Sequence, residues 1–263
     1  MKERKYSKNL SLYYFSNLDT LHGVSHFVSG RKGGVSTGEV GELNMSFSVK
    51  DDIRNVQSNR SIIAETLGVP LSNLVIPEQE HTANIAIVDQ NNFQNIFKNT
   101  DALVTNTSGI LIAVMSADCI PVLICDPVRK VVAAIHAGWR GTMSGIVSKT
   151  IAVMQKEFHS DSSKLIAGIG PGICQDKYEV GEEVIYATKK NYADTEGILK
   201  FDKHTNKAKL DLWEANRKQL LAAGIKEDSI EVAGICTYSN PDTFFSARRS
   251  ANEGRFSAGI MIQ

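Results

Sequence analysis

Ser116-Ala117-Asp118-Cys119-Ile120-Pro121 opens the stretch that decides the fold, and His136-Ala137-Gly138-Trp139-Arg140-Gly141 closes it. Between them lie two β-like runs, Pro121-Val122-Leu123-Ile124-Cys125 and Lys130-Val131-Val132-Ala133-Ala134-Ile135, separated by Asp126-Pro127-Val128-Arg129. Proline after aspartate suits the second position of a type I turn, so the two runs are predicted to pair as an antiparallel hairpin. Closed tightly at Pro127-Val128, that hairpin sets Cys119 directly opposite His136, with Cβ atoms about 4.5–5.5 Å apart. Two chemistries use such a pair: a metal site with sulfur and nitrogen donors, or a cysteine nucleophile with a histidine base. A buried cysteine beside a core histidine is the bland alternative, and the Gly-Trp-Arg-Gly that follows His136 speaks against it.

Outward from the hairpin, Ile110-Leu111-Ile112-Ala113-Val114-Met115 has the continuous apolar character of a buried strand. Met143, Ile146, Val147, Thr150, Ile151 and Met154 share one face of a predicted helix after Gly141. The free N–H groups at its start, with Arg140 beside them, favour an anion near His136. Lys164–Ile169, Ile230–Ile235 and Phe256–Ile262 are predicted strands, Leu210–Ala223 is a predicted helix stopped by Gly224, and a polar loop spans Cys236–Arg249. Gly170-Pro171-Gly172 permits close backbone approach to a ligand or to another strand. Upstream, residues 1–20 form an arm or an edge strand, and Ile53, Val56, Ile63 and Leu67 define a helix ending at Gly68. Arg60 shares that inward stripe, so it needs an anion, either a protein carboxylate or a bound substrate. Strands and helices alternate without repeats, which argues for one layered α/β domain over 1–263.

Composition removes several function classes. The 29 basic and 29 acidic residues cancel, so nothing electrostatic favours a nucleic-acid partner. No apolar run reaches membrane-spanning length, no secretory segment follows Met1-Lys2-Glu3-Arg4-Lys5, and the cysteines at 119, 125, 174 and 236 show no paired spacing. The economical expectation is a cytoplasmic protein that does not bind membranes, of a size compatible with a monomer.

A metal site needs more donors than one cysteine and one histidine. His159 and His204 stand in polar, charged stretches, whereas His22 and His26 fit either a surface or an internal role. His81 lies in Glu78-Gln79-Glu80-His81-Thr82, just before the alternating run Ala83–Val88. Cys125 is too far along the strand from Cys119 to share an ion, roughly 20 Å at about 3.3 Å per residue.

The chain resembles the YfiH family, and within it the bacterial YlmD type. The blocks that carry the resemblance are Gly30-Arg31-Lys32-Gly33-Gly34-Val35-Ser36, Leu43-Asn44, Asn59-Arg60, Gln79-Glu80-His81, Ala117-Asp118-Cys119-Ile120-Pro121, His136 through Gly141, Gly170-Pro171, Tyr178-Glu179-Val180-Gly181 and Phe244-Phe245-Ser246-Ala247-Arg248-Arg249. They run from about His26 to the C-terminus. The resemblance implies a four-layer α/β/β/α sandwich with mixed sheets and one zinc bound by His81, Cys119 and His136, which are then the catalytic residues too. It implies a purine nucleoside phosphorylase with adenosine deaminase activity on adenosine, inosine, guanosine and methylthioadenosine, in a family also labelled polyphenol oxidase or laccase. The chain departs from the family pattern at Gly30, Glu80 and Ala247, none of them a metal donor, which bears on substrate preference more than on chemistry.

Two histidines and one cysteine leave zinc an open fourth position, the pattern of a catalytic site. Such a zinc lowers the pKa of water to about 7, which suits deamination of adenine, with Glu80 or Asp118 as proton carrier. Phosphorolysis requires cations for phosphate: Arg60 and Arg140 come first, Arg31, Arg248 and Arg249 behind them, while the Asn44 amide suits ribose or base. Copper is expected to compete for the same donors in vitro by its higher intrinsic affinity, and Met115 would complete a blue-copper donor set, but full reduction of oxygen calls for a further copper cluster that six histidines scarcely supply. Two other classes stay open: a cysteine hydrolase using Cys119 and His136, the resemblance implying a fold shared at a distance with bacterial toxin cysteine hydrolases, and a non-catalytic metal- or ligand-binding protein.

Overall fold

The computed structural model describes residues 1–6, 9–202, 204–205 and 207–263. Two six-stranded mixed sheets stack on each other. The first contains β1 (Lys2–Lys5), β2 (Ser11–Tyr14), β3 (Val24–Ser29), β4 (Leu74–Val75), β7 (Leu111–Ser116) and β15 (Phe256–Ile262), in the order β1-β2-β3-β15-β7-β4. The second contains β5 (Ile85–Ile87), β6 (Ala102–Thr105), β8 (Ile120–Asp126), β9 (Val131–Ala137), β10 (Ile166–Ile169) and β14 (Ile230–Val232), in the order β14-β10-β8-β9-β6-β5. Near the N-terminus β1 is therefore the edge strand of the first sheet, β2 pairs between it and β3, and a short helix α1 (Ser16–Asp19) follows.

Alternation along the strands builds three apolar layers, because successive side chains point to opposite faces. Val28, Ile112, Val114, Ala258 and Ile260 of the first sheet meet Leu103, Leu123, Cys125, Val132 and Ala134 of the second. The outer face of the second sheet, with Val122, Ile124, Ala133 and Ile135, is covered by α4 (Ile146–Phe158) and α6 (Leu212–Ala222) through Ile146, Val147, Ile151, Met154, Ala215 and Leu220. On the outer face of the first sheet, Leu12, Phe27, Leu111 and Ala113 pack with Ile63 of α2 (Ile53–Thr66). Helix, sheet, sheet and helix thus follow one another, as the four-layer expectation requires.

The central hairpin forms, but its register differs from the predicted one. Pro121, not Cys119, stands opposite His136, and Asp126 pairs with Val131. The cause is the turn: Asp126 Oδ1 accepts the N–H groups of both Val128 and Arg129 at 2.9 Å, and Lys130 takes a left-handed φ of 53°. The loop therefore spends four residues where a tight turn spends two. A slip of two residues leaves every side chain on its original face, so the core pattern survives the error.

Other boundaries shift for local reasons. The helix expected after Gly141 is two helices, α3 (Trp139–Met143) and α4, divided where Gly145 adopts φ 75°. α3 is thus a single short turn, not the start of a long helix. α6 begins at Leu212 because Asp211 caps it, accepting the Glu214 N–H. Helix α5 (Glu182–Asn191) and a small sheet of β11 (Glu179–Val180), β12 (Leu199–Phe201) and β13 (Ala208–Leu210) escape the sequence reading, their strands being only two or three residues long. No helix among the described residues is long and apolar enough to cross a membrane.

Candidate metal centre

His81, Cys119 and His136 meet, with one donor atom from each and all three atoms within 4.8 Å of one another. His136 comes from the end of β9, Cys119 from the turn between β7 and β8, and His81 from the loop before β5. The two imidazoles stand edge to face, 5.0 Å between centroids.

Asp101, fully buried at the start of β6, organises two of the three. Its Oδ1 lies 2.8 Å from His136 Nδ1 and its carbonyl oxygen accepts the His136 N–H at 2.7 Å, which leaves Nε2 as the donor available to a metal. The same carboxylate accepts the N–H groups of Glu80, His81 and Thr82 and the Thr82 hydroxyl. Those bonds hold His81 in a left-handed backbone conformation, φ 59°, that is uncommon for residues other than glycine. Gln79 anchors the loop from the other side by bracketing the N–H and C=O of Met115. Asp101 carries no signal in the sequence, since its position before a strand belongs to no motif.

Asp118 also takes positive φ, 90°, to turn Cys119 toward the histidines. Its carboxylate accepts from the Thr237 hydroxyl at 2.6 Å, the Ser246 hydroxyl at 3.0 Å and the Arg248 N–H at 2.7 Å. Glycine is required at 138 because a Cβ there would sit 2.8 Å from Cys119 Sγ and 3.1 Å from His81 Cδ2. Burial would raise the Cys119 thiol, but His136 and His81 outweigh it and bring the thiol down to about 6. Burial would likewise lower His136, yet Cys119 and Asp101 push it up to about 9. Thiolate and imidazolium therefore sustain each other when no cation lies between them.

The three donors face a cavity of about 1150 Å³. Arg60 lines it from α2, partly buried, with Nε donating to Met45 O at 3.0 Å, a terminal nitrogen 3.8 Å from Met115 Sδ and its plane over Phe47 at 4.3 Å. No carboxylate pairs with it among the described ion pairs, and burial lowers its pKa to about 10. The Met115 sulfur is thus directed at Arg60. Arg255, which sequence reading missed, lines the same wall: its carbonyl oxygen accepts the Met45 N–H at 2.9 Å. Burial pushes its guanidinium down, against the pull of Cys119 and Asp118.

The remaining expected residues divide. Arg140 lines the cavity, more exposed, stacked on Trp139 at 4.3 Å with Glu183 3.9 Å away. Arg248 lines it too, over Tyr178. Asn44 is fully buried and its amide is fully engaged: it donates to Ser46 O and Asp51 Oδ2 and accepts from the Ser46 and Arg255 N–H groups. It shapes the wall bearing Ser46 and Arg255 rather than presenting an amide to a ligand. Arg249 spends its guanidinium on Glu253 and on the carbonyls of Thr237, Tyr238 and Phe244. Arg31 binds Pro241 O and lies outside the cavity lining. Cys125 lies in the core between the sheets, where burial raises its thiol to about 12.

Nitrogen, sulfur and nitrogen donors, a carboxylate behind one imidazole and a roomy open side together could hold a metal ion with a free coordination position. The chain is similar over residues 25–263 to the family model described as multi-copper polyphenol oxidoreductase laccase. It is 38% identical to a purine nucleoside phosphorylase of Bacteroides thetaiotaomicron, covering 97% of this chain and 98% of that protein. It is 37% identical to adenosine deaminase RL5 of an unknown prokaryotic organism, over 83% of this chain and 86% of that one. The crystal structure of Bacillus licheniformis YfiH superposes with a TM-score of 0.91 at 28% identity, covering 99% of both chains. On the extent of these matches, the chain belongs to the YfiH family of nucleoside-processing and laccase-labelled proteins.

Proposed function

We propose that this protein is a zinc-dependent purine nucleoside phosphorylase with adenosine deaminase activity, acting on nucleosides of the adenosine, inosine, guanosine and methylthioadenosine class. The observation that carries the reading is the convergence of His81, Cys119 and His136 on the wall of the cavity. Relatives named for both activities support it. The volume, about 1150 Å³, admits a nucleoside with phosphate beside it. Zinc, when bound, would supply a Lewis acid and water made acidic near neutral pH.

The chain's own residues do the rest. Asp101 keeps His136 in one orientation and one tautomer, and through the loop N–H groups it keeps His81 in place. Arg60 and Arg255, joined through the backbone of Met45, hold phosphate against the ribose C1′, where attack expels the purine. Arg140, on the more exposed side, draws anions toward the cavity. Asp118 is saturated by three donors and serves as a structural acceptor. Glu80, exposed on the cavity wall next to His81, carries protons in deamination.

The thiolate–imidazolium polarisation of Cys119 and His136 favours a second reading, a cysteine hydrolase. Metal content separates the two, since a zinc-bound thiolate is not a free nucleophile. The test is elemental analysis of the purified protein together with mass-spectrometric detection of products from adenosine, with and without phosphate. Inosine marks deamination, and adenine with ribose-1-phosphate marks phosphorolysis. A zinc-loaded preparation that produces neither overturns the proposal, and full turnover by metal-free protein removes zinc from it.

A further inference from the structure

Outside the cavity lining, the structure brings together two cysteines separated by 62 positions in the chain. Cys174 and Cys236 have their sulfurs 2.6 Å apart, and the Cys174 N–H donates to Cys236 Sγ at 3.2 Å. The contact is the end of a zipper. Ala233 N–H bonds Ile169 O, Gly172 N–H bonds Ile235 O, and Thr237 N–H bonds Gly172 O. Gly172 makes the approach feasible, since a Cβ there would fall 2.2 Å from Ile120 Cδ1 and 2.9 Å from Asp118 O. Both segments then grip the residue before Cys119. Ile173 N–H donates to Asp118 O at 2.9 Å, and the Thr237 hydroxyl donates to Asp118 Oδ1 at 2.6 Å.

We infer that Cys174 and Cys236 form a reversible dithiol–disulfide couple, oxidised by hydroperoxides, whose bond fastens together the two segments that hold the Asp118–Cys119 turn. Cys174 is partly open to solvent while Cys236 is buried against it, so Cys174 is the sulfur an oxidant reaches. Its thiolate attacks the peroxide O–O bond, forming a sulfenic acid and, after protonation of the departing hydroxide, one water. Cys236 sulfur then attacks the sulfenic sulfur, and its proton leaves with the expelled hydroxide as a second water. Two thiols and one hydrogen peroxide give one disulfide and two waters, the sulfurs losing two electrons and the peroxide gaining them. The other two cysteines are differently placed: Cys125 is fully buried and Cys119 belongs to the donor set.

Trypsin separates the partners cleanly, because Cys174 falls in peptide 165–177, Cys236 in 227–248, and both Cys119 and Cys125 in 99–129. The protein as purified is exposed to hydrogen peroxide, free thiols are alkylated, and the digest is analysed without reduction. The expected result is a linked 165–177/227–248 species, an upward shift of the thermal midpoint, and reversal of both by a dithiol reductant. Cys174→Ser and Cys236→Ser should each lose the linkage and the shift. Quantitative alkylation of both cysteines after peroxide, or linkage through 99–129 instead, overturns the couple. Linkage with an unmoved thermal midpoint overturns the fastening.

Discussion

Asp101 Oδ1 sits 2.8 Å from His136 Nδ1, and the same carboxylate receives the His81 N–H at 3.1 Å. One buried acid therefore sets both histidines of the donor set, although neither its spacing nor its neighbours mark it in the sequence. Removing its charge should loosen the site without removing a donor. Asp101→Asn is expected to weaken metal retention about 10–100-fold, the usual cost of losing an outer-shell partner. Metal content after a timed chelator challenge, with circular dichroism as the folding control, measures this. Retention equal to the parent's would show that Asp101 is merely a loop anchor.

Cys119→Ala and His136→Ala should abolish both zinc retention and adenosine turnover while the fold survives, because the donors lie at strand ends rather than in an apolar layer. Chelation of the parent protein should have the same effect, reversed by added zinc. Turnover that persists through chelation would place the chemistry elsewhere.

Arg60→Met should separate the two activities. Losing charge-assisted hydrogen bonds worth roughly 1.5–3 kcal/mol raises the KM for phosphate about 10–100-fold, whereas deamination, which needs no phosphate, should change little. Arg255→Gln should behave alike, since both side chains line the same cavity wall, Arg60 bonded to the Met45 carbonyl and the Arg255 backbone to the Met45 N–H. Equal losses in both reactions would refute a phosphate role for this wall.

Gly138→Ala places a methyl 2.8 Å from Cys119 Sγ. The expected outcome is a destabilisation of about 1–3 kcal/mol from overpacking, with loss of metal binding. Denaturant titration and elemental analysis read the two effects separately, and an unchanged metal content would show that the turn has more room than its geometry allows.

His26 gives a pH signature unconnected with the metal centre. Burial lowers its pKa from 6.5 to about 4, and its Nε2 accepts the Phe15 N–H as a neutral ring. The unfolded chain takes up this proton near pH 6.5 and the folded one resists until about pH 4. Its stabilising contribution is therefore complete above pH 6.5 and falls away toward pH 4, by about 3 kcal/mol. His26→Gln should flatten this part of the stability profile relative to the parent, and parallel curves over that window would contradict the assignment.

Much of this protein is written in its local pattern. Apolar runs such as Leu111–Ser116, Val131–Ala137 and Phe256–Ile262 read as strands because they are short, continuously apolar and bounded by turn-forming residues, and the chemistry of Cys119 and His136 is legible from residue type alone. Residue type and spacing along one chain are enough for such features. Folding alone decided the rest. The Asp126 turn moved the hairpin register by two residues, and Cys119 reaches His136 through the positive-φ turn at Asp118 instead of across a ladder. Asp101, Arg255 and the meeting of Cys174 with Cys236 depend on contacts between segments far apart in sequence. A hydrogen bond closed by tertiary packing leaves no periodic trace, because its partners are selected by where the backbone goes and not by what stands next to them.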